Sequence, residues 1–311
     1  MKIYVGIDVC KANLDVYVHP VGEHKIFSND KKGHKNLNKY LEKYEPEMIV
    51  IEATGKLHKA AWRAMVNEGL KVSVINPRRA RQFAASLGLL AKTDKIDAMG
   101  LAKSAEALQL KTTQIPTETE EKLAEFLSLR NQLTQQMVQV KNMLKSHSEP
   151  SIVRMFKQQM LLLEKQRAKV DETMLELIEA DEVLSRKYEI LMSIKGIGKM
   201  SASMLIAHLP ELGKCDEKQI ASLIGVVPFN RDSGNMRGKR YISGGRKAVR
   251  DMLYMAAVSA SRHNNDMNAF YKRLTQKGKS AKLALTAIIR KIVILANALI
   301  KNNRLWEEIY A

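Results

Sequence analysis

Three β-type runs crowd into the first thirty residues: KIYVGIDV (2–9), LDVYVHP (14–20) and HKIFSN (24–29). A helical stretch follows, then EMIVIEAT (47–54), a helix beginning near Lys56, the run KVSVINP (71–77), and further helix to about residue 110. Closely spaced strands followed by alternating helix and strand predict a mixed sheet flanked by helices, which sets the class of this region as α/β.

The rest of the chain reads differently. Between about 118 and 185 Gly and Pro are almost absent and apolar residues recur every three or four positions. Leu123, Phe126 or Leu127, Leu133, Met137, Val140 and Leu144 mark one helix, and Leu163, Val170, Met174 and Leu177 a second, with Pro150 in the break between them. The pattern predicts an antiparallel hairpin or coiled coil, which either joins two protomers or packs on the protein's own domains. From LMSIKGIGKMSASMLIAHL (191–209) onward the chain is helical again, with Gly196 and Gly198 breaking two helical patterns as in a helix-hairpin-helix module. Further helices are expected over about 245–262 and 280–302. The predicted domains are therefore 1–110, 111–185 and 186–311.

Charge says what such a protein meets. The net charge is +18, with 18 basic against 12 acidic residues in 1–110, 10 against 12 in 111–185, and 23 against 9 in 186–311. A surplus of that size favours a polyanion, and aromatics at 5% are too few for a base-stacking platform, so phosphate contact is the expected mode. Cys10 and Cys215 have no disulfide or zinc spacing. No run approaches the roughly 18 consecutive apolar residues of a membrane span, so a cytoplasmic, nucleoid-associated protein without membrane contact is expected.

Four acids stand where acids are costly. Asp8 ends the first strand, Glu52 ends the fourth within IVIEAT, and Asp94 and Asp97 lie three apart in KTDKIDA. In an RNase H-like sheet the first and fourth strands are neighbours, which sets Asp8 beside Glu52, and residues at i and i+3 share a helix face that can turn toward them. Each acid alone has a plain explanation as a cap or a solvated charge. Together they repel one another unless cations intervene, and a pair of Mg²⁺ ions about 4 Å apart clamping a scissile phosphate is the natural answer.

The basic segment FNRDSGNMRGKRYISGG (229–245) holds two serines among Arg231, Arg237, Lys239 and Arg240, with Arg246 just beyond. Ser243 precedes a helical pattern and is expected to cap it, whereas Ser233 has no such role. The arginines suit bidentate phosphate contact. Lys195 and Lys199, flanking the GIG turn, are weaker candidates, and many lysines of 31–43 are expected to be a solubilising surface.

The motifs GIDVCKANLDV, IEATG, VINPRRARQFA and KTDKIDA, followed by IKGIGKMSASMLIAHL, ASLIGVVPFNRDSG, RGKRYISGGRKAVRDMLYMAA and KGKSAKLALTAIIRKIVILANALI, resemble the insertion sequence 110 family over nearly the whole chain. The resemblance implies a RuvC-like DEDD domain, a helical arm and a transposase domain. Its acidic tetrad falls on Asp8, Glu52, Asp94 and Asp97, and its serine nucleophile on Ser233. It further implies Mg²⁺, donor and target double-stranded DNA, a noncoding bridge RNA, and homodimers that assemble into tetramers. Two alternatives stay open: a RuvC-like nuclease in which the carboxylates direct water and Ser233 is a loop residue, and a noncatalytic nucleic-acid scaffold.

Overall fold

The computed structural model describes residues 1–89, 93–229, 238 and 240–306. They fall into two compact units, Met1–Ile115 and Pro116–Ala311.

The first unit is built on a five-stranded sheet of β1 (Tyr4–Val9), β2 (Asn13–His19), β3 (Glu23–Ser28), β4 (Met48–Glu52) and β5 (Val72–Ile75). The order is β3-β2-β1-β4-β5, with β1, β2 and β3 antiparallel and β1, β4 and β5 parallel. Helices α1 (Lys31–Glu42), α2 (Lys59–Asn67), α3 (Pro77–Ser86) and α4 (Asp94–Ala107) cover it. The mixed sheet is compatible with the RNase H-like expectation.

Alternation along the strands gives the sheet two distinct faces. Val5, Ile7, Leu14, Val16, Val18, Ile49 and Ile51 are fully buried in one core that also takes Leu37 and Leu41 of α1 and Met65 of α2. Val50 and Ile75 point the other way, into a smaller core with Ala80 of α3 and Leu101 and Ala105 of α4. A methyl group on Gly6 would stand 2.0 Å from the Ala98 carbonyl oxygen and 2.3 Å from the Ala102 nitrogen, so only glycine lets α4 lie this close to β1. That contact matters for Asp8, two residues on and on the same face.

In the second unit α5 (Glu118–Ser146) and α6 (Pro150–Glu179) form the expected hairpin. Thr117 and Glu120 close a capping box at the start of α5. Pro150 is the first residue of α6 rather than part of a break, a position that suits a residue without an N–H. Leu123, Leu127, Leu133 and Val140 of α5 and Leu163, Val170, Met174 and Ile178 of α6 are buried, and Arg130 Nε donates to Asp171 Oδ1 across the pair at 2.6 Å. The hairpin shares a core with α7 (Glu182–Ser193), α8 (Lys199–His208), α9 (Glu217–Leu223), α10 (Lys247–His263), α11 (Asn265–Gln276) and α12 (Ala281–Lys301), so the segments expected as two domains pack as one unit.

Helix α12 has a mean hydropathy of 2.0 over a window long enough to cross a membrane. Here it is the central core helix, with Ile288, Ile292, Val293 and Ala296 buried, and Arg290 and Lys291 interrupt its apolar run. Asn297, itself buried, accepts from Gly213 N–H at 2.8 Å and donates to the Cys215 carbonyl at 2.9 Å, which ties the segment before α9 to this core. A two-stranded ladder of β6 (Pro228–Phe229) and β7 (Tyr241–Ile242) pairs Phe229 with Tyr241.

Candidate active site

Parallel pairing of β1 with β4 sets Ile7 opposite Ile51, so Asp8 and Glu52 are the next residues along two adjacent strands. Both belong to the face that α4 covers, as do Gly6 and Val50, two residues before each. Thr93 caps α4 by accepting from Ile96 N–H, which places Asp94 and Asp97 in the first turn. Carboxylates there are favoured by the helix dipole. They are also near Asp8: burial raises the Asp8 carboxyl above its ordinary 3.8, and the charges of Asp97, Asp94 and Asp15 push the same way, against a backbone hydrogen bond at Val9.

Three of the four expected acids thus interact electrostatically, and the fourth stands level with Asp8 on the neighbouring strand. Glu52 is half-buried and engaged by other groups of the chain.

Asp15 was not anticipated. It faces Asp8 directly across the β1–β2 pair, is 6% exposed, and is held by His24 Nε2 at 2.9 Å. The clue in the sequence was the alternation of β2, in which Leu14, Val16 and Val18 face one core and Asp15 therefore faces the other.

Asp8, Glu52, Asp94 and Asp97 offer only hard oxygen donors. Among the described residues no three His, Cys, Asp or Glu side chains stand close enough to chelate one ion by themselves. Mg²⁺ keeps several waters and takes one or two carboxylates alongside substrate phosphates, so this donor set fits it, and the crowding at Asp8 is the kind that a cation relieves.

The basic candidates separate. Ser233, Arg231, Arg237 and Lys239 lie outside the described residues. Arg240, just before β7, is exposed. Arg246 is committed to its own unit: its guanidinium forks onto Glu211 at 2.6 and 2.7 Å and donates to the His208 carbonyl at 2.7 Å. Burial alone would raise Glu211, but the Arg246 fork outweighs it and holds the carboxyl below its ordinary value.

The expectation that Ser243 caps a helix is corrected. The cap of α10 is Arg246, without a side-chain hydrogen bond, because Gly244 and Gly245 at φ 69° and 64° hold the chain out of helix until then. Gly198 caps α8 with open space around it, Lys199 is the first residue of that helix, and the Lys195 ammonium lies 5.6 Å from the Trp306 ring.

Two family models match the chain. One, described as transposase of the DEDD type of IS110 elements, covers residues 5–148, and the other, described as transposase of the IS116/IS110/IS902 family, covers residues 188–272. The pilin gene-inverting protein of Moraxella bovis is 28% identical over 324 aligned positions, which span 99% of this chain and 98% of that protein. The protein of the same name from Moraxella lacunata matches at 28% with the same coverage. Along this chain, then, two transposase domains of the IS110 family are matched in order, and both matches point to an enzyme that acts on DNA.

Proposed function

We propose that this transposase cuts and rejoins double-stranded DNA by serine attack, with Ser233 as nucleophile and Asp8, Glu52, Asp94 and Asp97 as the residues that hold Mg²⁺. The observation that carries the reading is the placing of Asp8 and Glu52 abreast on parallel strands with the acidic first turn of α4 beside Asp8.

Bound there, divalent ions supply Lewis-acid neutralisation of the phosphate's charge. Ser233 Oγ forms a bond to phosphorus as its proton leaves to a base. The bond from phosphorus to the leaving sugar oxygen breaks, and that oxygen carries away the electron pair and takes up a proton. The reverse steps reseal a strand without an external energy source, because the phosphodiester's energy is kept in the serine ester. Arg231, Arg237, Lys239 and Arg240 hold the DNA backbone.

A noncoding bridge RNA pairs with donor and target in this reading, and protomers join as dimers and then tetramers. The basic excess at the C-terminal end supports the first, and Met155, Leu161 and Leu162, 56–69% exposed on α6, support the second.

The test is a denaturing gel of the protein incubated with Mg²⁺, element-end DNA and RNA transcribed from the element's noncoding flank. A Mg²⁺-dependent protein–DNA adduct that disappears in Ser233→Ala is the expected result. Cleavage without adduct in both proteins would replace the serine mechanism by metal-directed hydrolysis.

A further inference from the structure

We propose that the cleft between β3 and α1 is a phosphodiester-backbone site for a stretch of nucleic acid other than the one being cut. The lysine contact itself requires only that the chain meets nucleic acid, and its distinction from the scissile segment rests on the placing of the cut at Asp8 and Glu52 proposed above.

The cleft has a volume of about 570 Å³ and is lined by Lys25 of β3, Lys39 of α1 and Lys43 just after it, with Ser28 and Asn36 as neutral hydrogen-bonding groups. It exists because α1 presses on the sheet edge: a methyl group on Gly33 would stand 1.8 Å from the Ser28 carbonyl oxygen, and Asp30 caps the helix by accepting from Gly33 N–H at 2.7 Å. Strand β3 is the sheet's edge, so nothing in the sheet covers the cleft from that side.

Its cations are positioned rather than scattered. The Lys25 and Lys43 ammoniums lie 4.9 and 4.3 Å from the centroid of one buried ring, Tyr40. The Tyr40 hydroxyl in turn donates to Glu23 at 2.7 Å, and Tyr44 donates to the same carboxylate oxygen at 2.6 Å. Glu23 is therefore occupied by two hydroxyls and stands 3.8 Å from Lys43. Lys25 also feels the Glu23 charge without closing an ion pair with it, and among the described residues Lys39 has no carboxylate ion pair. Exposed Lys31, Lys32 and Lys35 continue the positive strip along α1, whose only acid is Glu42.

A purely solubilising surface has no need of a cleft or of two ammoniums on one ring. A cofactor pocket would be more apolar and enclosed. Three lysines with neutral donors between them match a backbone of repeated phosphates, whose affinity comes from charge and whose sequence is not read.

Position gives the second half of the proposal. Lys25 and Phe27 belong to the sheet face that α1 and α2 cover, whereas Asp8 and Glu52 belong to the face under α4. A strand lying on the lysines is on the opposite side of the sheet from the carboxylates of the same protomer. It is a flanking or guide segment, not the scissile one.

The experiment uses the full chain carrying Asp8→Asn without divalent metal, so no cleavage enters. A 20-mer duplex DNA and a single-stranded RNA of matched length are the two probes. First, lysine acetylation read by mass spectrometry, with and without each probe, should show Lys25, Lys39 and Lys43 protected. Second, combined Lys25→Gln, Lys39→Gln and Lys43→Gln should lower the slope of log affinity against log salt by about 2.7 for the duplex or about 2.1 for the single strand, whereas the three arginine replacements should keep it.

An effect confined to one probe identifies that nucleic acid as the occupant. Unprotected lysines with both probes, or an unchanged slope with both, would overturn the proposal. Because metal and cleavage are absent, that failure leaves the serine reading untouched, and a missing serine adduct leaves this site untouched.

Discussion

Asp8 and Glu211 are both half-buried carboxylates, and the chain treats them in opposite ways. Glu211 receives a fork from Arg246 and is held below its ordinary range, although burial pulls the other way. Asp8 receives Asp97, Asp94 and Asp15 as neighbours and is pushed up by burial and by their charges together. Folding alone would favour the first arrangement everywhere, since an uncompensated buried charge is costly. A cluster that repels itself is stable enough to persist only when the rest of the fold pays for it, and it becomes useful when a cation arrives. The contrast between an acid that the fold satisfies and acids that it crowds is what favours the crowded ones as the proposed cation ligands.

The largest expected effect breaks the working side. Asp8→Asn should lower DNA cleavage by about 10³-fold or more, the scale expected when several kcal/mol of charge stabilisation are lost, and a cleavage time course checks it. The variant should fold at least as well as wild type in metal-free buffer, because it removes a repelled charge; a lower melting temperature would contradict this.

Gly6→Ala should come next. The added methyl meets α4 backbone at 2.0 and 2.3 Å, so the helix must shift, at about 1–3 kcal/mol of stability, and its acidic turn moves with it. Urea unfolding measures the first consequence and Mg²⁺-dependent cleavage the second. A stable and fully active variant would show that the close α4 contact does not position Asp94 and Asp97.

Arg246→Ala tests the structural side. It strands Glu211 and the His208 carbonyl, and because the pair is partly open to solvent the loss should be about 1–2 kcal/mol, read as a lower urea midpoint. Glu211→Gln in the Arg246→Ala background should add little, since the interaction is already gone.

The smallest effect is a difference of sign with pH. A raised carboxyl favours the folded state most at low pH, so the Asp8 contribution is present below 3.8 and is lost as pH rises through its folded value. A lowered carboxyl does the reverse: the Glu211 contribution is present above 4.5 and is lost as pH falls through its folded value. Melting curves from about pH 3 to about pH 6, where protein carboxyls titrate, should therefore change in opposite directions when Asp8→Asn and Glu211→Gln are each compared with wild type. Shifts of the same sign would remove the contrast.

The placing of the proposed acids was more legible in the sequence than that of the residues around them. The short apolar runs that carry Asp8 and Glu52, and the three-residue spacing of Asp94 and Asp97, are local patterns, and the parallel pairing of β1 with β4 brings the first two abreast as expected. Asp15 and His24 went unread because their meaning depends on cross-strand register, which no local pattern states. The Glu211–Arg246 fork joins residues 35 apart and was invisible for the same reason, so Arg246 read as a phosphate ligand. Ser243 read as a cap because a serine before a helical pattern is the usual signal, and two positive-φ glycines delayed the helix. Helix α9 was missed as a seven-residue element, though Asp216 and Gln219 form a capping box that marks its start, and the 12-residue α11 also went unread.

The acids on the α4 face are proposed to form a divalent-cation site. Its most direct test is Mn²⁺ titration followed by electron paramagnetic resonance, with duplex DNA present, on wild type, Asp8→Asn, Asp97→Asn and Glu211→Gln. Bound Mn²⁺ in wild type and Glu211→Gln, displaced by Mg²⁺ and lost or greatly weakened in the two aspartate variants, is the predicted result. Equal Mn²⁺ binding by all four proteins, or none by any, would contradict it.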